Sequence, residues 1–116
     1  VGAGGRVLGV DRSAEMLAVA RRRAERHRLG TVRLLESDAL ELDARRVVAQ
    51  LGGPADIVIA TYTLAIMADP DEAWRRAVAT ARPGARVAIV DMQPPTGVAR
   101  LVAPLARAFA GFGGAD

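Results

Sequence analysis

Apolar residues in this chain fall into short unbroken runs, and the stretches between the runs change to a helical period. Arg6 to Asp11, Thr31 to Glu36, Asp56 to Ala60 and Ala85 to Val90 are the runs. Continuous rather than alternating hydrophobicity fits strands covered on both faces. Asp56-Ile-Val-Ile-Ala60 carries the strongest signal, because its centre is entirely β-branched.

Between the first two runs, Leu17, Ala20, Ala24 and His27 recur at helical spacing, with arginines over the remainder. Ser13 supplies the N-cap and Glu15 an acid in the first turn. The pattern reaches about Leu29, where Gly30 is the expected C′ stop. Asp43 to Leu51 predicts a short helix, ended by Gly52-Gly53-Pro54. Asp69-Pro70-Asp71-Glu72 predicts the start of another, a capping box with Asp in place of Ser or Thr. Its inner face would be Trp74, Ala77, Val78 and Ala81, with Arg82-Pro83-Gly84 as the stop. After Pro94-Pro95, Gly97 to Gly111 reads as an amphipathic helix, interrupted at Pro104.

Strand, helix, strand, short helix, strand, helix, strand, helix is the order of an α/β protein. The expected fold class is a partial doubly wound, Rossmann-like parallel sheet with helices on both faces. No repeat or low-complexity linker divides the chain, so residues 1–116 read as one unit.

Composition narrows the picture. The chain has 116 residues, enough for one small domain, and aromatics make up only 3%. The core must therefore be built from Ala, Val, Leu and Ile. Without Cys there is no disulfide framework, thiolate metal site or Cys nucleophile, and a single His makes a metal centre unexpected. All 16 basic residues are Arg, set against 13 acids for a net charge of +3. They lie on helix faces among acids without interleaved aromatics, so a solvated surface is expected rather than a nucleic-acid interface. The charge-free stretch Ile57 to Ala68 is 12 residues, short of the roughly 20 a membrane-spanning helix needs. No secretory signal opens the chain, so a cytoplasmic location is expected. The first residue is Val rather than Met, which reads as a piece of a longer protein.

Open parallel sheets bind ligands beyond the carboxyl ends of their strands. Asp11, Asp38, Thr61 with Tyr62, and Asp91 with Met92 occupy those positions. A carboxylate there can accept hydrogen bonds from both ribose hydroxyls of a nucleotide. Asp38, at the end of the next strand, can accept from an exocyclic amine of a base. The alternative for both is that they only cap the turns that follow. Gly2, Gly4 and Gly5 do not make a dinucleotide fingerprint, since Val7 stands where its last glycine belongs and a strand follows. They read as a turn into the first strand.

Four segments together carry a family resemblance. Gly4 to Arg21 resembles the second motif of class I S-adenosylmethionine-dependent methyltransferases, of the branch acting on quinones, lipids and other small molecules. Ser37-Asp38-Ala39 resembles their adenine-contact motif, and Asp56 to Ala60 their fourth strand. Arg82 to Asp91 resembles the turn into their fifth. The resemblance implies S-adenosyl-L-methionine as cofactor and a small-molecule or lipid acceptor. It implies that Asp11 binds the ribose and that Arg12 and Met16 lie near the adenosine. Asp38 would take the adenine amino group, Ala39 would offer its backbone N–H to the ring, and Thr61 would line the methionine end. The family's first strand and glycine loop, which precede the second motif, and its last strands have no counterpart in the chain.

No catalytic side chain is assigned, because methyl transfer from a sulfonium depends on positioning more than on a base. Tyr62 and Asp91 are acceptor-side candidates, with a core Tyr and a strand-end Asp as the alternatives. His27 and Trp74 read as structural. Val98 to Phe112, with Arg100 and Arg107, would be an ordinary packed helix, a substrate lid or a membrane-surface contact. Two other functions remain: a nicotinamide-dependent oxidoreductase, which gives no reason for Ser37-Asp38-Ala39, and a non-catalytic remnant. The family sets its first strand between the second and fourth. Without it, the strands ending at Asp11 and near Ala60 must leave a gap, pair directly or recruit another chain. Marginal stability and self-association are therefore expected.

Overall fold

A computed structural model of the protein describes residues 1, 2 and 4–91. The helix expected over Gly97 to Gly111, and the lid or membrane contact expected of Val98 to Phe112, lie outside the described residues. The elements run β1 (Val7–Asp11), α1 (Ala14–Arg26), β2 (Val32–Glu36), a 3-10 turn (Ala39–Glu41), α2 (Ala44–Leu51) and β3 (Ala55–Thr61). A second 3-10 turn (Leu64–Ile66), α3 (Pro70–Val78) and β4 (Ala81–Val90) follow.

Among the described residues all strand pairing is parallel, as the unbroken apolar runs predicted. The strands form two separate pairs, β1 with β2 and β3 with β4. In the first, Val7 faces Val32 and Asp11 faces Glu36; in the second, Val58 faces Val87 and Thr61 faces Val90. β1 and β3 are not hydrogen-bonded partners. Of the three outcomes expected for these strands, direct pairing is excluded. The halves meet where α3 packs against the 3-10 turn Ala39–Glu41.

Helix starts follow local sequence chemistry. Ser13 Oγ accepts the Met16 N–H at 3.2 Å, Asp43 Oδ1 the Arg45 N–H at 2.8 Å, and Asp69 Oδ1 the Glu72 N–H at 2.9 Å. Each satisfies one of the N–H groups that a helix start leaves orphaned. Glu72 does not close the predicted capping box. Its carboxylate pairs instead with Arg75 and Arg76, one turn on.

Helix ends depart further from expectation. α1 stops at Arg26, and the left-handed residue is Arg28 (φ 53°), not Gly30. Leu29 N–H donates to Ala24 O at 2.8 Å and Arg28 N–H to Glu25 O at 3.0 Å, the bond pattern of a Schellman motif. α3 ends at Val78, so Ala81 is the first residue of β4 rather than part of a helix face. Buried Thr80 makes the switch: its hydroxyl donates to Ala77 O at 2.7 Å, and its carbonyl accepts Ala55 N–H at 2.9 Å. Arg82-Pro83-Gly84 therefore lies inside β4, where Gly84 adopts φ 77° and the β3–β4 register shifts near Ala55. His27 is exposed, so the inner face of α1 is Leu17 with half-buried Ala20 and Ala24.

The core is small. Leu35, Leu42 and Val47 form its buried cluster, with Leu8 and Leu51 packed against it. Two arginines hold the end of α2 to this half: Arg6 Nη1 donates to Leu51 O at 2.8 Å, and Arg33 Nη1 to Gln50 O at 2.7 Å. Cations at a helix C-terminus satisfy its last carbonyls and oppose its dipole, worth about 0.3–1 kcal/mol each. Gly52 ends α2 at φ 81°, and an added Cβ would run into the Arg6 guanidinium.

Candidate functional site

Parallel pairing of β1 with β2 brings two connections together at the carboxyl edge of that pair. The Ser37 N–H donates to Asp11 O at 3.0 Å, extending the ladder one residue past β2. Asp38 therefore stands one residue beyond the end of the ladder, beside the β1–α1 connection.

Both carboxylates are half-buried and anchored. Asp11 Oδ1 accepts the Ser13 N–H at 2.9 Å, turning the chain into α1. Asp38 Oδ1 accepts the Leu40 N–H at 2.9 Å and caps the 3-10 turn, while the Ser37 hydroxyl donates to Asp38 O at 3.1 Å. Each thus performs the capping role considered as its alternative. Capping occupies one oxygen of each, and the second has no hydrogen-bond partner among the described residues. A charge-assisted bond from the backbone fixes such a carboxylate and leaves it able to accept from a ligand. Ala39 opens the 3-10 turn, where an N–H has no partner within the turn itself.

Arg12 and Met16 are exposed on the same connection and first helical turn, Met16 at 56%. Asp11, Arg12, Met16, Asp38 and Ala39 are therefore collected at one edge. Thr61 is not among them. It ends β3, exposed, in the other strand pair opposite Val90. Two hollows of about 410 and 270 Å³ lie at the opposite end of β1–β2, lined by residues such as Leu29, Val32, Gly5 and Thr31. Their shape does not outweigh the chemistry of the carboxyl edge, since neither touches Asp11 or Asp38. Among the described residues no three His, Asp or Glu side chains cluster as metal ligands.

Asp91 has a local role that the sequence does not reveal. Its Oδ2 accepts the Ala65 N–H at 2.8 Å, tying the turn after β3 to the end of β4. Tyr62 is exposed rather than a core residue, and its backbone is left-handed at φ 51°. No local pattern marks either feature, because Tyr has no special preference for that conformation.

Two carboxylates at the ends of adjacent parallel strands meet the match to known sequences here: the model of a methyltransferase domain family covers residues 1–109. The chain belongs to this methyltransferase family. Demethylmenaquinone methyltransferase of Thermus thermophilus is 35% identical over 92 residues, 79% of this chain. The chain spans 39% of the length of that relative. No solved structure shows significant similarity to it. The methyltransferase resemblance is thereby supported. Among the described residues no helix of this methyltransferase chain is long and apolar enough to cross a membrane.

Proposed function

We propose that this chain is the adenosine-holding part of an S-adenosyl-L-methionine-dependent methyltransferase acting on a small-molecule or lipid acceptor. The observation that carries the reading is the anchored pair Asp11 and Asp38 on adjacent strand ends, within a methyltransferase-family chain. The residues fit the nucleoside: each carboxylate keeps one oxygen without a partner among the described residues to accept with, and Ala39 offers an N–H. When bound, the cofactor supplies an electrophilic methyl group on a sulfonium.

Asp11 accepts from the ribose hydroxyls, with Arg12 and Met16 flanking the adenosine. Asp38 accepts from the 6-amino group of adenine and Ala39 donates to the ring. Thr61 lines the methionine side, across the position that the family's first strand takes between β1 and β3. Rate then comes from alignment of donor and acceptor, with no side-chain base required. Similarity to the Thermus enzyme favours a quinone such as demethylmenaquinone as acceptor.

Calorimetry of the full-length protein with S-adenosylmethionine tests the assignment. Asp11→Ala should cost about 1.5–3 kcal/mol for each charged hydrogen bond lost. Asp38→Ala should weaken S-adenosylmethionine more than an analogue lacking the 6-amino group. Unchanged affinity in Asp11→Ala sinks the ribose assignment, and equal losses for both ligands return Asp38 to a turn cap alone.

A further inference from the structure

The carboxyl edges of the two strand pairs differ in chemistry. Asp11 and Asp38 stand with Arg12 at the β1–β2 edge. Ile57 to Ala68, which holds the connection after β3 as far as the α3 cap Asp69, carries no charged side chain, and the Asp91 carboxylate at this edge is bonded to the Ala65 N–H. Tyr62 and Ile66 on this connection are 61% and 80% exposed.

Tyr62 is held there by its backbone. Its N–H donates to Val90 O at 2.7 Å, one step beyond the β3–β4 ladder. Three residues on, the Ala65 N–H is tied to the Asp91 carboxylate. Between these ties Tyr62 takes a left-handed conformation that side chains rarely adopt and that Asn or Gly would adopt more easily. Non-glycine residues kept in such conformations cluster at ligand-binding sites, where surrounding structure holds them. The result is an exposed aromatic ring on a chain segment without charged side chains of its own, at the end of the strand where ligands bind in open parallel sheets.

We propose that Tyr62 is the acceptor platform of this protein: its ring stacks on a planar, uncharged acceptor, and Ile66 adds apolar surface on the same connection. The inference rests on the methyltransferase reading and assigns the acceptor to the β3 side, apart from the nucleoside side. Offset stacking needs the ring and not the hydroxyl, so Tyr62 is a specificity-determining residue with no proton to move.

The test uses the full-length protein and three variants, Tyr62→Phe, Tyr62→Asn and Tyr62→Gly. Asn and Gly remove the ring while suiting the left-handed backbone, so their melting temperatures should hold. Binding of 1,4-naphthoquinone is measured by calorimetry with S-adenosylhomocysteine present, S-adenosylmethionine affinity is measured separately, and KM is taken with demethylmenaquinol. Tyr62→Phe should stay within twofold of the parent throughout. Tyr62→Asn and Tyr62→Gly should weaken naphthoquinone and raise KM at least tenfold, with cofactor affinity within twofold. The platform is overturned if the ring-less variants bind naphthoquinone as the parent does, if they lose the cofactor equally, or if the parent binds no naphthoquinone. A parent that binds naphthoquinone through Tyr62 but does not bind S-adenosylmethionine keeps the platform and removes the methyltransferase reading.

Discussion

β1–β2 and β3–β4 are built on one pattern and end in different surroundings. Both are parallel pairs of apolar strands. In the first, Leu35 is 4% exposed, covered by Leu42 and Val47. In the second, Ile59 is 62% exposed although it lies in the strongest strand signal of the chain. Its neighbours are similar: Ile57 and Val87 are each 53% exposed, and the two lie on opposite faces of the pair. α1 packs on β1 and β2, and α2 on β1, whereas α3 divides its contacts between β4 and the 3-10 turns. A β-branched run thus specifies a strand, while burial depends on what the rest of the fold lays over it.

The largest test of this contrast is Leu35→Ala. Opening a cavity in the buried cluster of Leu35, Leu42 and Val47 should cost about 2–5 kcal/mol, comparable to the whole stability of a small domain. Urea unfolding of residues 1–116 should move to lower denaturant concentration. The same truncation at Ile59, already mostly in water, should cost far less. A comparable loss at Ile59 would mean that β3 is buried in solution and would erase the distinction between the halves.

A smaller effect isolates the arginine clamp that belongs to the first half only. Gly52→Ala forces a side chain into a left-handed position, costing about 1–2 kcal/mol, and displaces Arg6 from Leu51 O. Gly53→Ala, where an added Cβ meets nothing, is the control and should be near neutral. Equal effects of the two on the melting temperature would remove the clamp from the account.

The smallest expected stability change, within about 0.5 kcal/mol, is that of Ile59→Ser, yet its effect on association should be clear. Exposed apolar strands with unpaired edges recruit other chains. Residues 1–116 should self-associate in sedimentation, show no methyl transfer, and become less associated with Ile59→Ser. A monomeric parent chain that unfolds cooperatively and binds the cofactor near micromolar concentration would contradict that expectation.

What could be read from the sequence is what short-range chemistry decides. Ser13 and Asp69 cap helices as predicted, and Asp43, expected as the first helical residue, caps α2 in the same way, because a side-chain oxygen reaches an N–H only two or three residues away. Strand identity at Val7–Asp11, Val32–Glu36 and Ala55–Thr61 followed from unbroken apolar runs, and Asp11 and Asp38 stood out because strand ends are where such sheets bind ligands. Tertiary structure decided the rest. Arg28 rather than Gly30 takes the left-handed position, and Thr80 turns an expected helix face into a strand. Tyr62 is set outward in a conformation its side chain does not favour. Asp91 holds Ala65, 26 residues away in sequence, and Arg6 and Arg33 reach the end of α2. Each of these depends on a partner that pairing and packing bring close, and no local pattern of residue types encodes a distance across the fold.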